Sequence, residues 1–208
     1  MKAITEKELQ TFLESVSSDY DVRVPVKLHD GTRQLAGLDE GELALTGGAL
    51  PGKPTSVFFP QFDTVFTADG GNVDMNPAPA KPVFVVGLTA QDAAGLTFID
   101  RFFADNVPDD IYLAKRNESV VVVVSGRAGK DGAPMKVAGG DCDIELIHNG
   151  EMLLVEAYTD KGKELVARIQ GGTEAEPGDM KAQGDAALKE FDELIAKASE
   201  IVKAEKVP

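Results

Sequence analysis

Five consecutive valines, Val120 to Val124, set the strongest limit on what this chain can fold into. β-branched side chains suit a pleated sheet, and an unbroken run of them suits a strand covered on both faces, since a strand with one wet face alternates. A second run of the same kind, "PVFVVG" over 82–87, lies upstream. Between the two, "QDAAGLTFIDRFFA" over 91–104 places Leu96, Ile99, Phe102 and Phe103 on one helical face. Strand, helix and strand in that order predict a parallel βαβ unit with a right-handed crossover.

The flanking segments add antiparallel pieces. Thr5 opens a Thr-x-x-Glu pattern with Glu8, and Leu9, Phe12, Leu13 and Val16 recur on one side, which predicts a helix over about residues 5–17. "YDVRVPVKL" alternates, Asp30-Gly31 makes a turn, and a second strand returns through Arg33 to Leu38. Residues 46–82 are broken by glycine and proline, so long regular elements are not expected there. Only "SVFFPQFDTVFTA" carries enough apolar side chains to pack, and "NVDMNPAPAKP" reads as an exposed, proline-stiffened connection.

"GRAGKDGAPMKVAGG" reads as a mobile glycine-rich loop. "DIELIHNGEMLLVEAY" reads as a hairpin about Asn149-Gly150, and "TDKGKELVARIQGG" as a helix stopped by Gly171-Gly172. Near the C-terminus Leu188, Phe191, Ile195, Ala198 and Val202 follow spacings of three and four, with Asp185–Lys189 and Glu193–Lys197 as favourable pairs. That amphipathic helix is too short for an independent coiled coil, so its stripe covers either its own domain or a partner. The expected fold is mixed α/β. A central βαβ unit with parallel strands and antiparallel hairpins forms one domain over 1–172, and 173–208 carries the C-terminal amphipathic helix.

Charge and composition exclude some functions. With 21 basic against 35 acidic residues the formal charge is −14, which repels phosphate backbones and anionic lipid surfaces. No stretch approaches the roughly 18 apolar residues of a membrane span, and "MKAITEKELQ" lacks the apolar core of a secretory signal, so a cytoplasmic location is expected. The one cysteine, Cys142, excludes a disulfide within the chain and a self-contained thiolate metal site. His29 and His148 each stand beside a turn and read as surface residues.

Motifs for chemistry are weak. "GRAGKDG" lacks the spacing of a phosphate-binding loop and has Asp131 where a magnesium-holding Ser or Thr belongs. "GLTAQDAAG" has bulky residues where backbone must approach a pyrophosphate. Asp92 could act as a general base, but an acid in the first helical turn is also what the helix dipole favours. Asp141 and Asp143 are too few for a hard-metal site, and Cys142 has no cationic neighbour in sequence to activate it. The C-terminal edge of the strands 83–87 and 120–124 is geometrically suited to a flavin or another small molecule.

The order of "SVFFPQFDTVF", "VVGLTAQDAAGLTFIDRFF", "DDIYLAKRNESVVVVVSG" and "DCDIELIHNGEMLLVEAYTDKGKEL" resembles the N-terminal half of the beta subunits of cytoplasmic sulfhydrogenases and of the A-type subunits of anaerobic sulfite reductases. The resemblance spans roughly residues 20–170. The family pattern has a Gly-Val-Arg-Pro-Cys-Asp-Ala-x-x-Leu turn, and a cysteine after the valine strand. This chain has Gln91 and Ser125 at those two places. A [4Fe-4S] cluster needs four thiolate-type ligands, so the resemblance implies a degenerate site and no cofactor. The cysteine-rich ferredoxin domain that follows in the family is not matched either.

The resemblance therefore implies a cluster-less structural or regulatory subunit of a cytoplasmic redox complex, without redox activity of its own. Its partners would be protein subunits, such as an iron–sulfur protein or a flavoprotein. The former cluster pocket would serve as a contact surface formed by Thr89, Ala90, Asp92, Gly126 and Met135. The C-terminal helix would be a second docking element, for a partner or for another copy of the chain. The alternative is an enzyme that binds flavin or another small molecule at the C-terminal strand edge.

Overall fold

The computed structural model describes residues 1–45, 50, 55–58, 66–74, 81–105, 107–127 and 134–204. In chain order the elements are β1 (Lys2–Ile4), α1 (Glu6–Val16), β2 (Asp21–Lys27), β3 (Arg33–Ala36), β4 (Glu42–Leu43), α2 (Thr55–Phe58), β5 (Thr67–Asp69), β6 (Asn72–Asp74), β7 (Val83–Leu88), α3 (Ala90–Ala104), α4 (Asp110–Glu118), β8 (Val120–Gly126), β9 (Ile144–His148), β10 (Leu153–Ala157), α5 (Asp160–Ala167), β11 (Thr173–Glu174) and α6 (Pro177–Ala204). The main sheet runs β3-β2-β7-β8-β9-β10-β1-β11, with β4 also paired to β2, while β5 and β6 form a separate hairpin.

The mixed α/β fold read from the valine run is the one found. The strands β2, β7, β8 and β9 are mutually parallel, and the sheet is completed by antiparallel pairings at both sides. Alternation sorts the valines. Val120, Val122 and Val124 meet Leu9, Phe12, Leu13 and Val16 of α1 and Leu165 of α5 on one face. Val121 and Val123 meet Ala93 and Leu96 of α3 and Tyr112 of α4 on the other. Every residue of β8 is buried, as a strand with helices on both sides requires.

Local chemistry fixes the joints. In α1 the Thr5 hydroxyl accepts from the Glu8 N–H at 3.2 Å and the Glu8 carboxylate accepts from the Thr5 N–H at 2.8 Å. This is the reciprocal cap expected from the sequence. Pro25 has no N–H to give a neighbour, and the parallel ladder between β2 and β7 reaches only Arg23 and Val85. Opposite it β7 bulges at Gly87, whose φ is +89°. A Cβ there would lie 2.2 Å from Pro25 Cγ, so only glycine fits.

Several expectations change. Phe102, placed on the buried face of α3, is 68% exposed, as is Phe98 at 71%; the inward face is Ala93 and Leu96 with Ile99 and Phe103 partly covered. Helix α4 has little signal in the sequence, because "DIYLAKRNE" is short and polar; it forms under the Asp109 cap and buries Tyr112. Strand β1, three residues long and paired on both sides, is equally silent. Helix α5 ends at Ala167, before Gly171-Gly172, and β3 stops at Ala36 rather than Leu38. Residues 46–49, 51–54, 59–65, 75–80 and 128–133 lie outside the described residues, and with them most of the packing expected of "SVFFPQFDTVFTA", much of the proline-rich connection, and Asp131.

Candidate functional site

The carboxyl ends of β7, β8 and β9 are where a parallel sheet of this kind offers a site, so each residue proposed there is taken in turn. Thr89 is the N-cap of α3. Its hydroxyl accepts from the Asp92 N–H at 3.1 Å, and the Asp92 carboxylate accepts from the Thr89 N–H at 3.1 Å and hydroxyl at 2.8 Å. Both side chains are thus engaged in starting the helix. Ala90 is buried beneath it, and Gln91 is exposed on the first turn.

Ser125, the other expected cluster position, is fully buried on the face of the sheet shared with Val121 and Val123. Its hydroxyl donates to Glu145 at 2.5 Å. Glu145, also fully buried, is the hub that sequence reading missed. Besides Ser125 it accepts from the Ala138 N–H at 2.8 Å, the Gly139 N–H at 3.3 Å and the Tyr158 hydroxyl at 2.8 Å. A buried carboxylate is tolerable only with such a donor set. Tyr158 also lies 3.0 Å from Glu156. Burial, then the charge of Glu145, raise the Tyr158 pKa well above the ordinary phenol range.

Gly126 and Met135 form an antiparallel bridge, N–H to O at 3.0 and 2.7 Å. Gly126 has φ +84°, and a Cβ would sit 2.3 Å from the His148 carbonyl oxygen. The Met135 side chain packs against the core cluster that includes Val124. Gly126 and Met135 therefore belong to a backbone bridge at the end of β8, and Thr89, Ala90 and Asp92 to a helix start.

An open groove does exist on this edge, under the first half of α6. It encloses about 470 Å³ and is lined by Arg127, His148, Asn149, Gly150, Gln183 and Glu190, among others. Arg127 pairs with Glu190 of α6 at 2.5 Å. His148 is only 7% exposed, which corrects the expectation of a surface histidine. Its Nδ1 accepts from the Gly150 N–H at 2.9 Å, leaving the ring hydrogen on Nε2, which faces Glu6 at 3.8 Å. The groove wall combines these polar and charged groups with Ala186 and Ala187, and its described lining holds no Phe, Tyr or Trp to stack on a flavin ring.

The remaining candidates are structural by the same criterion. Asp143 accepts from the Val121 N–H at 2.8 Å and the Thr159 hydroxyl at 2.7 Å, so it ties β8 to the start of α5. Lys161 donates to the Ser119 carbonyl and lies 3.8 Å from Asp143; burial depresses its pKa while Asp143 pulls it back up. Cys142 is buried, and burial followed by the charge of Glu145 pushes its thiol up to about 12, the opposite of an activated nucleophile. Among the described residues no group of three or more His, Cys, Asp or Glu could hold a metal ion. His29 is exposed, as expected.

The C-terminal helix divides in two. Gly184 and Ala187 are buried and Leu188 and Phe191 half-buried, where α6 crosses β8 and β9. From Asp192 to Ala204 every residue is exposed, including Leu194, Ile195, Ile201 and Val202, each 49–59% accessible. The stripe thus runs past the fold that its first half covers.

What fold and site define together is an α/β sheet protein whose strand-end polar groups are largely committed to its own framework. No family model matches the chain, and no curated protein or solved structure matches it. No helix among the described residues is long and apolar enough to cross a membrane.

Proposed function

We propose that this chain is a non-catalytic structural or regulatory subunit of a larger protein assembly, of the redox type that its sequence resembles. The observation that carries the reading is the outer half of α6, a continuous apolar stripe held out from an otherwise acidic molecule. Exposed apolar surface in a contiguous row marks interaction sites far more often than it marks idle surface. The chemistry at the strand ends supports the same reading, because Thr89, Asp92, Ser125 and Glu145 spend their polar atoms on one another and on backbone. The test is the native size of the protein in clarified lysate and the identity of what travels with it. A complex well above the 22.1 kDa monomer, containing an iron–sulfur protein or a flavoprotein, is the expected result. A monomer at that mass in lysate would refute the reading.

The groove beneath α6 favours a second reading, a small polar ligand held between Arg127, His148 and Gln183. Its volume lies within the usual ligand range of roughly 300–1,000 Å³. Native mass spectrometry of the freshly purified protein separates the two readings, since a bound metabolite would add a fixed mass and a scaffold would add none.

A further inference from the structure

We infer that the outer half of α6 pairs with the same segment of a second copy, antiparallel, about a two-fold axis near Ala196 and Lys197. The inference rests on the assembly reading above and names the occupant of its carrying surface. Residues 192–204 span about 20 Å of helix. Leu194, Ile195, Ile201 and Val202 are about half exposed along it, so the segment gains from a partner that covers its stripe.

Three features select a second copy. The first is charge. The whole chain carries −14, whereas the segment from Asp192 to Ala204 has three acids, Asp192, Glu193 and Glu200, and two bases, Lys197 and Lys203. This is a surface on which two copies can meet with little of the repulsion that opposes them elsewhere. The second is steric register. Placing Ile195 opposite Ala198 of the second copy also sets Val202 opposite the uncovered part of the half-buried Phe191, and Leu194 beside Ile201, so large residues alternate with small ones along the seam. The third is the flank. In that register Asp192 faces Ser199 of the second copy and comes within reach of its Lys203, and the two-fold axis repeats the ion pair.

A parallel pairing offers none of this, because it sets Asp192 against Ala187 and brings no opposite charges together. The antiparallel overlap buries on the order of 1,000 Å² in total, the lower end for specific association, which predicts a dimer that forms in the micromolar range.

The test is sedimentation of the purified full chain from about 1 to 200 μM, a range bracketing that prediction. A concentration-dependent dimer is expected. Ile195→Asp, at an exposed position, should weaken it by at least about 100-fold without altering the thermal transition of the fold. Asp192→Lys and Lys203→Asp should each weaken it by about tenfold, and the double variant should restore it, because the swap re-forms both ion pairs. A monomer at every concentration, a dimer indifferent to Ile195→Asp, or a double variant no better than the singles would each overturn the inference. A monomer after purification beside a large complex in lysate would overturn the self-pairing and leave the assembly reading intact; a monomer in both would end both.

Discussion

Replacing Glu145 with glutamine removes one negative charge and nothing else of consequence in volume, which makes it the cleanest probe of the buried hub. The carboxylate accepts from Ser125 and the Ala138 N–H on one oxygen, and from the Gly139 N–H and the Tyr158 hydroxyl on the other. A glutamine can keep the first pair with its carbonyl. Its amide then points at Gly139, donor against donor, while Tyr158 can turn to accept from it and donate to Glu156. The part-buried Gly139 N–H loses its acceptor, and the retained bonds lose their charge assistance, for a total of about 2–4 kcal/mol. In urea that shifts the unfolding midpoint by about 1–2 M. Ser125→Ala should cost about 1.5–3 kcal/mol, and the double variant should fall short of the sum by about 1 kcal/mol, because the two changes share a bond. Circular dichroism of the four proteins in urea decides it. A Glu145→Gln protein within about 0.5 kcal/mol of the parent, or strict additivity, would refute the claim that this carboxylate organises the loop end and Ser125.

Other outcomes follow from the same structure. Cys142 should resist iodoacetamide at pH 8 in the folded protein and react fully once unfolded, because burial holds its thiol near 12; rapid alkylation of the native state would contradict the packing. Since that pKa is raised on folding, its contribution to stability is whole below the ordinary thiol value near 9 and fades as pH climbs toward 12, which urea titrations across that range would show. Thr89→Ala should lower stability by about 1 kcal/mol through loss of the cap, with no change in any association. Gly126→Ala should cost well over about 2 kcal/mol, since it adds a Cβ at a positive φ against the His148 carbonyl; a neutral effect would mean that the β8 exit is misplaced.

The parallel centre of the sheet and the capped helices were legible because their signals are local: a valine run, a Thr-x-x-Glu box, a helical stripe. The buried polar residues were not. In "DCDIELIH" Glu145 falls at the position that alternation assigns to solvent, and only the placement of β9 between β8 and β10, with the backbone at 138–139 donating to it, turns that face inward. His148 escaped notice for a similar reason, since the turn beside it is exposed while Glu6, far away in the chain, sits across from its ring. At Phe102 the error was one of phase: it is apolar and helical but, like Phe98, lies on the outer side of the turn that presents Ala93 and Leu96. At Ser125 the hydroxyl's bond to Glu145 was equally illegible, because its partner lies on a different strand 20 residues away.

The place of β1 in the sheet has a consequence for synthesis. Lys2 to Ile4 are synthesised roughly 150 residues ahead of their ladder partners in β10, and those in β11 come later still. At about 5–20 residues per second the first strand waits about 8–30 s for its neighbours, with Ile4, fully buried in the finished fold, still exposed to water. The half of the sheet beyond β9 can close only when nearly the whole domain has been made, so a nascent chain stalled before Leu153 should hold its first strand open to chaperones.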